Sequence, residues 1–252
     1  MTLVLAHPPI VEAVLDIDCD LPLGQELSAL EGPARERFRD HYPTFGQRVL
    51  QEHQIETRPD TPLNVSVRHT VAVAAYQFMQ EDQKQLVQIR NDGYSFNRLA
   101  PYTSLDEYLP EIERTWRIYV SLAAPVQIRL VRLRYINRIL LPLVDGKVIL
   151  GDYFRVAPRL PDEERMSFLG FVHQHVTEEP GTGNQAHTVF ASQNLEQGQL
   201  PVIFDNSVLA LETGDVDNWP WIEGKIRSLR SLKNHIFERS LTEQCLNLFQ
   251  QD

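Results

Sequence analysis

Three arginines near the middle of the chain, Arg132, Arg134 and Arg138, are separated by even numbers of residues. If this segment is a β-strand, its side chains alternate between two faces, so all three guanidinium groups share one face. A guanidinium group can hold a carboxylate or phosphate through two parallel hydrogen bonds, which makes this face a candidate site for an anionic ligand or a partner protein. The alternative is a ladder of ion pairs with Asp and Glu of neighbouring strands on an open sheet face. The sequence leaves both interpretations open.

Two further arginines flank a predicted hairpin. Arg90 precedes and Arg98 follows the turn at 91–93, an Asn-Asp-Gly sequence whose residues tolerate positive φ. We expect the two strands to fold back on each other. We predict that Arg90 and Arg98 join Arg138 in one cationic pocket, and this is the sharpest site hypothesis that the sequence offers.

Histidines provide the candidate metal ligands. His173 and His175 project from one side of a predicted strand, and His187 lies on the next one. Two imidazole groups at this spacing suit one metal ion, but no His-Glu-x-x-His or comparable ligand motif accompanies them. We therefore predict no metal site and treat these histidines as structural or solvent-facing.

No catalytic motif or cofactor signature is present in the sequence. There is no Gly-x-Ser-x-Gly elbow and no Cys-His nucleophile pair. The Gly-rich segment 180–184 lacks the Lys-Ser/Thr of a phosphate loop, so it is predicted as a hairpin loop. We expect no cofactor.

Composition excludes several classes of function. The chain has 252 residues, of which 42% are hydrophobic and 23% charged, as expected of a globular protein with a sizeable core. Its net charge of -10 disfavours nucleic acid and anionic membranes, which require cationic surface. The last long helix is locally basic, which is typical of a solvated face or of contact with an acidic partner protein. Without an apolar run of membrane-spanning length, and with two distant cysteines predicted as buried free thiols, we expect a cytoplasmic protein.

A repeated plan organises the elements that position these residues. Around Ile89 the pattern predicts a strand, a turn, a strand and a helix that opens at Ser104. The same plan recurs 114 residues later around Ile203, with a turn at 205–207 and a helix that opens at Asn218. We interpret this as an internal duplication of a strand-turn-strand-helix unit. Residues 1–124 and 125–252 would be two α+β repeats, packed as one continuous domain.

The individual elements follow from periodicity, turn residues and capping signals. Capping boxes are predicted at Ser104 to Glu107 and at Ser240 to Glu243. Strands and helices in both halves require a two-layer α+β fold, a large curved antiparallel sheet covered by helices on one side. The predicted strands are 10–18, 65–79, 85–90, 94–99, 126–143, 147–150, 167–176, 186–192 and 202–211; short helices are predicted at 34–40, 45–53 and 240–249, and a loop at 54–64.

Three segments resemble a known group of proteins. They are Pro-Pro-Ile-Val-Glu-Ala at 8–13, Gln-Ile-Arg-Asn-Asp-Gly-Tyr-Ser-Phe-Asn-Arg at 88–98 and Arg-Tyr-Ile-Asn-Arg-Ile at 134–139. With these segments the chain resembles a sporadically distributed family of uncharacterised bacterial proteins of about this length. The resemblance spans almost the whole chain and implies a cytoplasmic bacterial protein of unknown function, with no catalytic residues to carry over.

Two functions fit these observations. The first is a non-enzymatic binding or regulatory module that holds an anionic ligand or a partner protein. The alternative is an enzyme for a phosphorylated or nucleotide-like substrate, with arginine clamps and His173, His175 or Glu12 in acid-base roles. An enzyme requires a concave pocket where arginines meet a His or carboxylate of shifted pKa. A homodimer joined through an unpaired sheet edge is a third interpretation.

Overall fold

The computed structural model describes residues 5–57, 65–156, 158–159, 165–166 and 168–250, with the backbone alone for 51–57 and 65–71. Within these residues the strands form one nine-stranded sheet, and every neighbouring pair is antiparallel. The strands are β1 (Ile10–Asp20), β2 (Thr44–Thr57), β3 (Val65–Met79), β4 (Gln85–Arg90), β5 (Gly93–Leu99), β6 (Gln127–Pro142), β7 (Val172–Glu179), β8 (Asn184–Ser192) and β9 (Gln199–Ala210). The helices are α1 (Leu27–Phe38), α2 (Leu105–Ala123), α3 (Leu150–Tyr153), α4 (Trp219–Ser240) and α5 (Glu243–Asn247). The predicted α+β class with an antiparallel sheet is confirmed.

The strand order places β1 and β6 side by side at the centre of the sheet. Across the sheet the order is β2-β3-β4-β5-β1-β6-β9-β8-β7. β5, the strand before α2, pairs with β1, the first strand of the first half. In the same way β9, the strand before α4, pairs with β6, the first strand of the second half. The first half therefore contributes five strands to the described sheet, and the second half four.

The core lies between one face of the sheet and the helices. On this covered face Leu15 of β1 and Leu133 of β6 pack in one cluster with Ile112 and Trp116 of α2 and Ile226 of α4. A second cluster joins one end of β6, β8 and β9 to α3, α5 and the end of α4. No described helix packs on the opposite face of the sheet, which we call the open face.

Side-chain caps start the long helices where the sequence indicated. Ser104 Oγ accepts a hydrogen bond from the backbone N–H of Asp106, not of Glu107, and Glu107 accepts instead from Thr103. The predicted reciprocal capping box is therefore wrong in detail, although the start of α2 is confirmed. Asn218 caps α4 by accepting from the N–H of Trp221, 3.1 Å away.

The second predicted capping box is also wrong. The helix α4 extends through Ser240, so this residue ends one helix instead of starting the next. Thr242 is the N-cap of α5, and its side chain accepts from the N–H of Cys245.

The helix predicted at 45–53 is wrong, because this segment lies in β2. All 14 residues of β2 pair with β3, which satisfies backbone groups that a helix would have satisfied internally. Phe45 also packs 5.5 Å from Phe78, ring centre to ring centre. Tertiary pairing thus outweighs the helix propensity of this segment. The predicted loop at 54–64 begins inside β2, and its part at 58–64 lies outside the described residues.

The second turn of the proposed repeat is absent. Residues 205–207 lie inside β9, where Asp205 and Ser207 project onto the open face and Asn206 is buried on the covered face. The polar residues belong to an alternating strand pattern and not to a turn. The strand predicted at 147–150 is likewise replaced by a single bridge between Val144 and Lys147, followed by α3.

Gly93 is required by the close approach of the β4–β5 turn to β1. Its φ is +150°, and an added Cβ atom would lie 2.1 Å from the carbonyl oxygen of Ile17. We expect Gly93→Ala to lower the free energy of unfolding by about 2–4 kcal/mol, as measured by urea denaturation.

Gly224 provides the matched control for this substitution. It lies in α4, and an added Cβ atom would have no neighbour within 4 Å. Gly224→Ala should therefore stabilise the protein by about 0.5–1 kcal/mol, because alanine is the better helix former. Equal stability of the two variants would contradict the close approach at Gly93.

Candidate functional site

Arg132 and Arg134 lie on the open face, as the even spacing predicts, and each has an acidic partner on a neighbouring strand. Arg132 lies 3.5 Å from a carboxylate oxygen of Asp16. Arg134 binds Asp205 in a bidentate manner, with its Nε donating over 2.9 Å and its terminal nitrogen over 2.5 Å. Two parallel hydrogen bonds fix the plane of this guanidinium group.

Arg138 lies at the far end of β6 on the same face. It forms an ion pair with Glu196, and its Nε donates to Gln193 Oε1 over 3.1 Å. At the opposite end of the strand Arg129 pairs with Asp20 over 3.0 Å. Ion pairs therefore follow β6 along its length, as the ladder interpretation predicts.

Arg90 and Arg98 lie on opposite faces of the sheet, so the predicted pocket with Arg138 does not assemble. Arg90 lies on the open face, 9% exposed, and contacts Asp18 and Asp92 over 2.5 and 2.8 Å. Arg98 lies on the covered face, 5.2 Å above the ring of Tyr108. Side chains of a strand alternate between its two faces. Residue 93 pairs with residue 90 and shares its face, whereas residue 98 is five positions later in β5 and lies on the opposite face.

The third member of the predicted pocket is also distant. Arg90 binds Asp18, and Asp18 pairs with Leu130 of β6. Arg138 lies eight residues farther along β6 than Leu130. Eight residues of strand span roughly 25 Å. Arg132 and Arg134 therefore lie together on the open face, whereas Arg90, Arg98 and Arg138 do not converge.

An amide relay crosses four strands of the open face. Gln77 donates to Gln88 over 3.2 Å, Gln88 donates to Asn97 over 2.9 Å, and Asn97 donates to Glu12 over 2.7 Å. A parallel contact joins Ser95 to Asp16 over 2.6 Å. Of these residues the sequence analysis named only Glu12, as a candidate acid-base group, although polar residues at alternate positions of β4 and β5 were a signal for the others.

Electrostatics fix the centre of this network. The hydrogen-bonded carboxylate of Asp205 raises the pKa of Arg134, and Glu12 and Asp16 add to the effect. Buried polar groups that satisfy one another are rigid and specific. The open face therefore presents fixed charges in fixed positions.

The most perturbed amine lies on the covered side of the sheet. The ammonium nitrogen of Lys233 lies 3.8 Å from the ring centre of Tyr135, and no carboxylate among the described residues lies within ion-pairing distance. Burial lowers its pKa to about 7, with a further contribution from Arg230 and an opposing one from Glu238. A lysine with such a pKa is partly neutral at physiological pH.

A tyrosine cluster surrounds this lysine. Tyr135 and Tyr102 share a hydroxyl hydrogen bond of 2.7 Å, and Tyr102 packs 5.6 Å from Tyr108. Arg98 lies at the other end of the cluster, over Tyr108. The sequence analysis treated Lys233 only as part of a basic helix face, but its spacing of four residues from buried Leu229 indicated the covered side.

The three histidines do not converge. His173 and His175 lie on the covered face with ring centres 5.5 Å apart, and burial together with His173 lowers the pKa of His175. His187 pairs with Val176 and so projects from the open face. In the part of the chain that the structure describes, no three His, Cys, Asp or Glu side chains gather as a metal-binding group.

A groove of about 280 Å³ lies between α2 and the start of α4. None of the five arginines lines it. It therefore does not provide the arginine-lined pocket that the enzyme hypothesis requires. Its lining consists of Trp116, Arg117, Val120, Ser121, Val216, Asp217 and Trp219.

Comparison with known proteins adds no relative. No protein-family model matches the chain, and no curated protein matches it. No helix in the described part of the chain combines the length and the apolar character that crossing a bilayer requires. The functional argument therefore rests on the residues themselves.

The lowered pKa of Lys233 predicts a pH-dependent stability. Between pH 7 and the ordinary lysine pKa near 10.4, the unfolded chain binds a proton that the folded chain has released, so stability rises with pH. Below pH 7 the fold must bury a charged ammonium group. We expect Lys233→Met to be more stable than the wild type at pH 6, with a difference that shrinks towards pH 10.

Thermal denaturation across pH 6–10 measures this difference. The control is Lys147→Met, because this substitution also removes one positive charge, but from an exposed side chain. The assignment fails if the Lys233→Met difference is independent of pH, or if Lys147→Met shows the same trend.

Proposed function

We propose that the protein is a non-enzymatic binding module that holds an acidic partner protein on the open face of its sheet. One observation carries the proposal, namely the ion-paired and hydrogen-bonded polar network on a face that no described helix covers. The network also stabilises the sheet, and on an uncovered face its exposed arginines stay accessible to a partner. Its position supports recognition.

At the centre of the network the arginines are more exposed than their acidic partners. Side chains of Arg132 and Arg134 are 33% and 43% exposed, whereas their partners Asp16 and Asp205 are only 16% and 15% exposed. The acids thus lie beneath the arginines and hold them in place. Arginine is enriched at the centres of protein interfaces, where its fixed, planar group binds carboxylates.

A protein partner fits this face better than a small anion. A small anion would have to compete with Asp205, which already binds Arg134 through two hydrogen bonds. A protein partner can contact the remaining donors and also cover apolar neighbours such as Ile136 and Ile203, which are partly exposed on the same face. The larger buried area offsets the limited gain at each arginine.

An internal duplication is part of the proposal. Positions 116 and 230 are related by the 114-residue offset, and each contacts the region where the other long helix begins. Arg230 pairs with Asp106 in the first turn of α2, while Trp116 donates to the carbonyl oxygen of Val216 just before α4. Reciprocal contacts of this kind are expected of two repeats related by a two-fold axis.

The cytoplasm is the compartment that we propose. Cys19 and Cys245 are both buried free thiols, as predicted from the sequence. Burial raises the pKa of each to about 12, which makes them unreactive. Unpaired cysteines are typical of a reducing compartment.

An enzyme for a phosphorylated substrate is the second candidate function. The Lys233 cluster favours it, because a partly neutral amine beside hydroxyl groups is a plausible base or nucleophile. The arginine clamps that this hypothesis assigned to β6 lie on the other side of the sheet from Lys233. The binding module is therefore the better supported function.

The test is co-purification from the native host at low ionic strength. We expect a stoichiometric acidic protein to remain bound to the wild type and to be lost from Arg132→Ala/Arg134→Ala, because this variant removes the exposed donors. Native mass spectrometry measures the complex. Raising the salt concentration should release the partner.

Two exposed arginines on the helical side of the molecule form the matched control. Arg39→Ala/Arg117→Ala removes the same charge from local pairs with Asp40 and Glu113, and it should retain the partner. Equal retention by both double variants would overturn the proposal. Calorimetric binding of inorganic phosphate by the wild type but not by Arg132→Ala/Arg134→Ala, without a bound protein, would favour a small anionic ligand instead.

A further inference from the structure

The strand β7 exposes one edge of the sheet. Among the described residues it pairs only with β8. The N–H of Ser192 donates to the carbonyl oxygen of Phe171 over 3.0 Å, so residues 171 and 192 form a hydrogen-bonded pair between β7 and β8. Bonded and non-bonded pairs alternate in an antiparallel ladder, so residues 172, 174, 176 and 178 direct their backbone N–H and C=O groups outward.

The first half of the molecule shows what occupies the equivalent position. Counted outward from β1 and β6, β3 and β7 hold the same place in the strand order. The outer edge of β3 is covered by β2, which pairs with it over all 14 of its residues. In the described part of the second half, no strand covers the outer edge of β7.

This edge lacks the usual protection against strand pairing. Natural edges are blocked by proline, by lysine or by a bulge. The strand β7 contains neither residue, and its pairing with β8 has no register shift. Its two valines, Val172 and Val176, are 71% and 61% exposed. An edge with two exposed valines and without proline, lysine or a bulge favours the addition of a strand.

We propose that β7 pairs in antiparallel fashion with β7 of a second copy of this chain, so that two sheets become one across a two-fold axis. This interface is separate from the proposed docking of an acidic partner, which uses the centre of the open face. Both valines lie on the open face, and so the dimer would place two open faces side by side.

The order of side chains along β7 makes a second copy of this chain a suitable partner for the edge. Histidines lie at its beginning and glutamates at its end, in the sequence Val-His-Gln-His-Val-Thr-Glu-Glu. A register centred on Val176 places His173 opposite Glu179 of the other copy, twice. It also brings the two Val176 side chains together at the axis. An imidazole group can donate a hydrogen bond to an opposed carboxylate, and apolar pairs across strands are also favourable.

Neighbouring registers are less favourable. Centring on His175 would bring two histidines together and would place Val172 opposite Glu178. Centring on Gln174 would place His173 opposite His175 and leave both glutamates unpaired. Centring on Thr177 would place His175 opposite Glu179, but it would also place Val176 opposite Glu178. Of these registers, only the one centred on Val176 combines His-Glu pairs with an apolar pair.

The first experiment measures oligomeric state by light scattering during size-exclusion chromatography, over a range of concentrations. We expect a dimer for the wild type and a monomer for Val172→Lys/Val176→Lys, because lysines on an edge repel a second copy. The control, Val172→Thr/Val176→Thr, keeps β-branched residues without charge and should remain dimeric. The melting temperature of each variant shows whether the monomer is folded.

The second experiment tests the register without depending on the lysine variant. His173→Cys and Glu179→Cys proteins are mixed and oxidised, and a covalent heterodimer is expected because opposed residues of an antiparallel pair lie within disulfide reach. Cys19 and Cys245 are buried and remain as they are. A monomer at every concentration, a dimer unaffected by the lysines, or the absence of the heterodimer disulfide would each overturn the proposal.

Discussion

The open face of the sheet must satisfy its own polar groups, and the rest of the structure depends on this constraint. The helices cover one face, where the apolar side chains of seven adjacent strands form continuous rows. On the other face each charged side chain needs a partner on a neighbouring strand, because an unpaired buried charge is costly. Asp16 and Asp18 of β1 supply two such partners, for Arg132 and Arg90. The central strand therefore joins the two halves through charge as well as through its backbone.

The two sides of the sheet treat cations in different ways. On the open face Arg90, Arg132, Arg134 and Arg138 each pair with an acid and keep their charge. On the covered side Lys233 rests on the ring of Tyr135 and is close to losing its proton at neutral pH. A permanently charged arginine suits the recognition of a charged surface, whereas a lysine with a lowered pKa suits a group that changes its protonation state. The position of the arginines is what favours binding over catalysis.

Local patterns predicted much of the fold and less of the site. The even spacing of Arg132, Arg134 and Arg138 gave their common face, and the start of each long helix followed from its capping residue. The helix predicted at 45–53 failed because only the partner strand β3 decides that this segment is extended. The pocket prediction failed because the face of Arg98 depends on which residues pair across the hairpin, and a shift of one residue reverses the face. Lys233 was missed because a basic helix face resembles solvated surface until the sheet beneath it is known.

The amide relay gives the open face a direction. Gln77, Gln88 and Asn97 all donate in the same sense, towards the carboxylate of Glu12. Their dipoles are therefore aligned head to tail, and each bond polarises the next. Reversing any one amide would place two donors or two acceptors against each other, and reversing all three would place the Asn97 oxygen against the Glu12 carboxylate, so the direction of the relay is fixed. Gln88 and Asn97 are buried, so this alignment acts within the sheet and fixes the orientation of each amide across the strands.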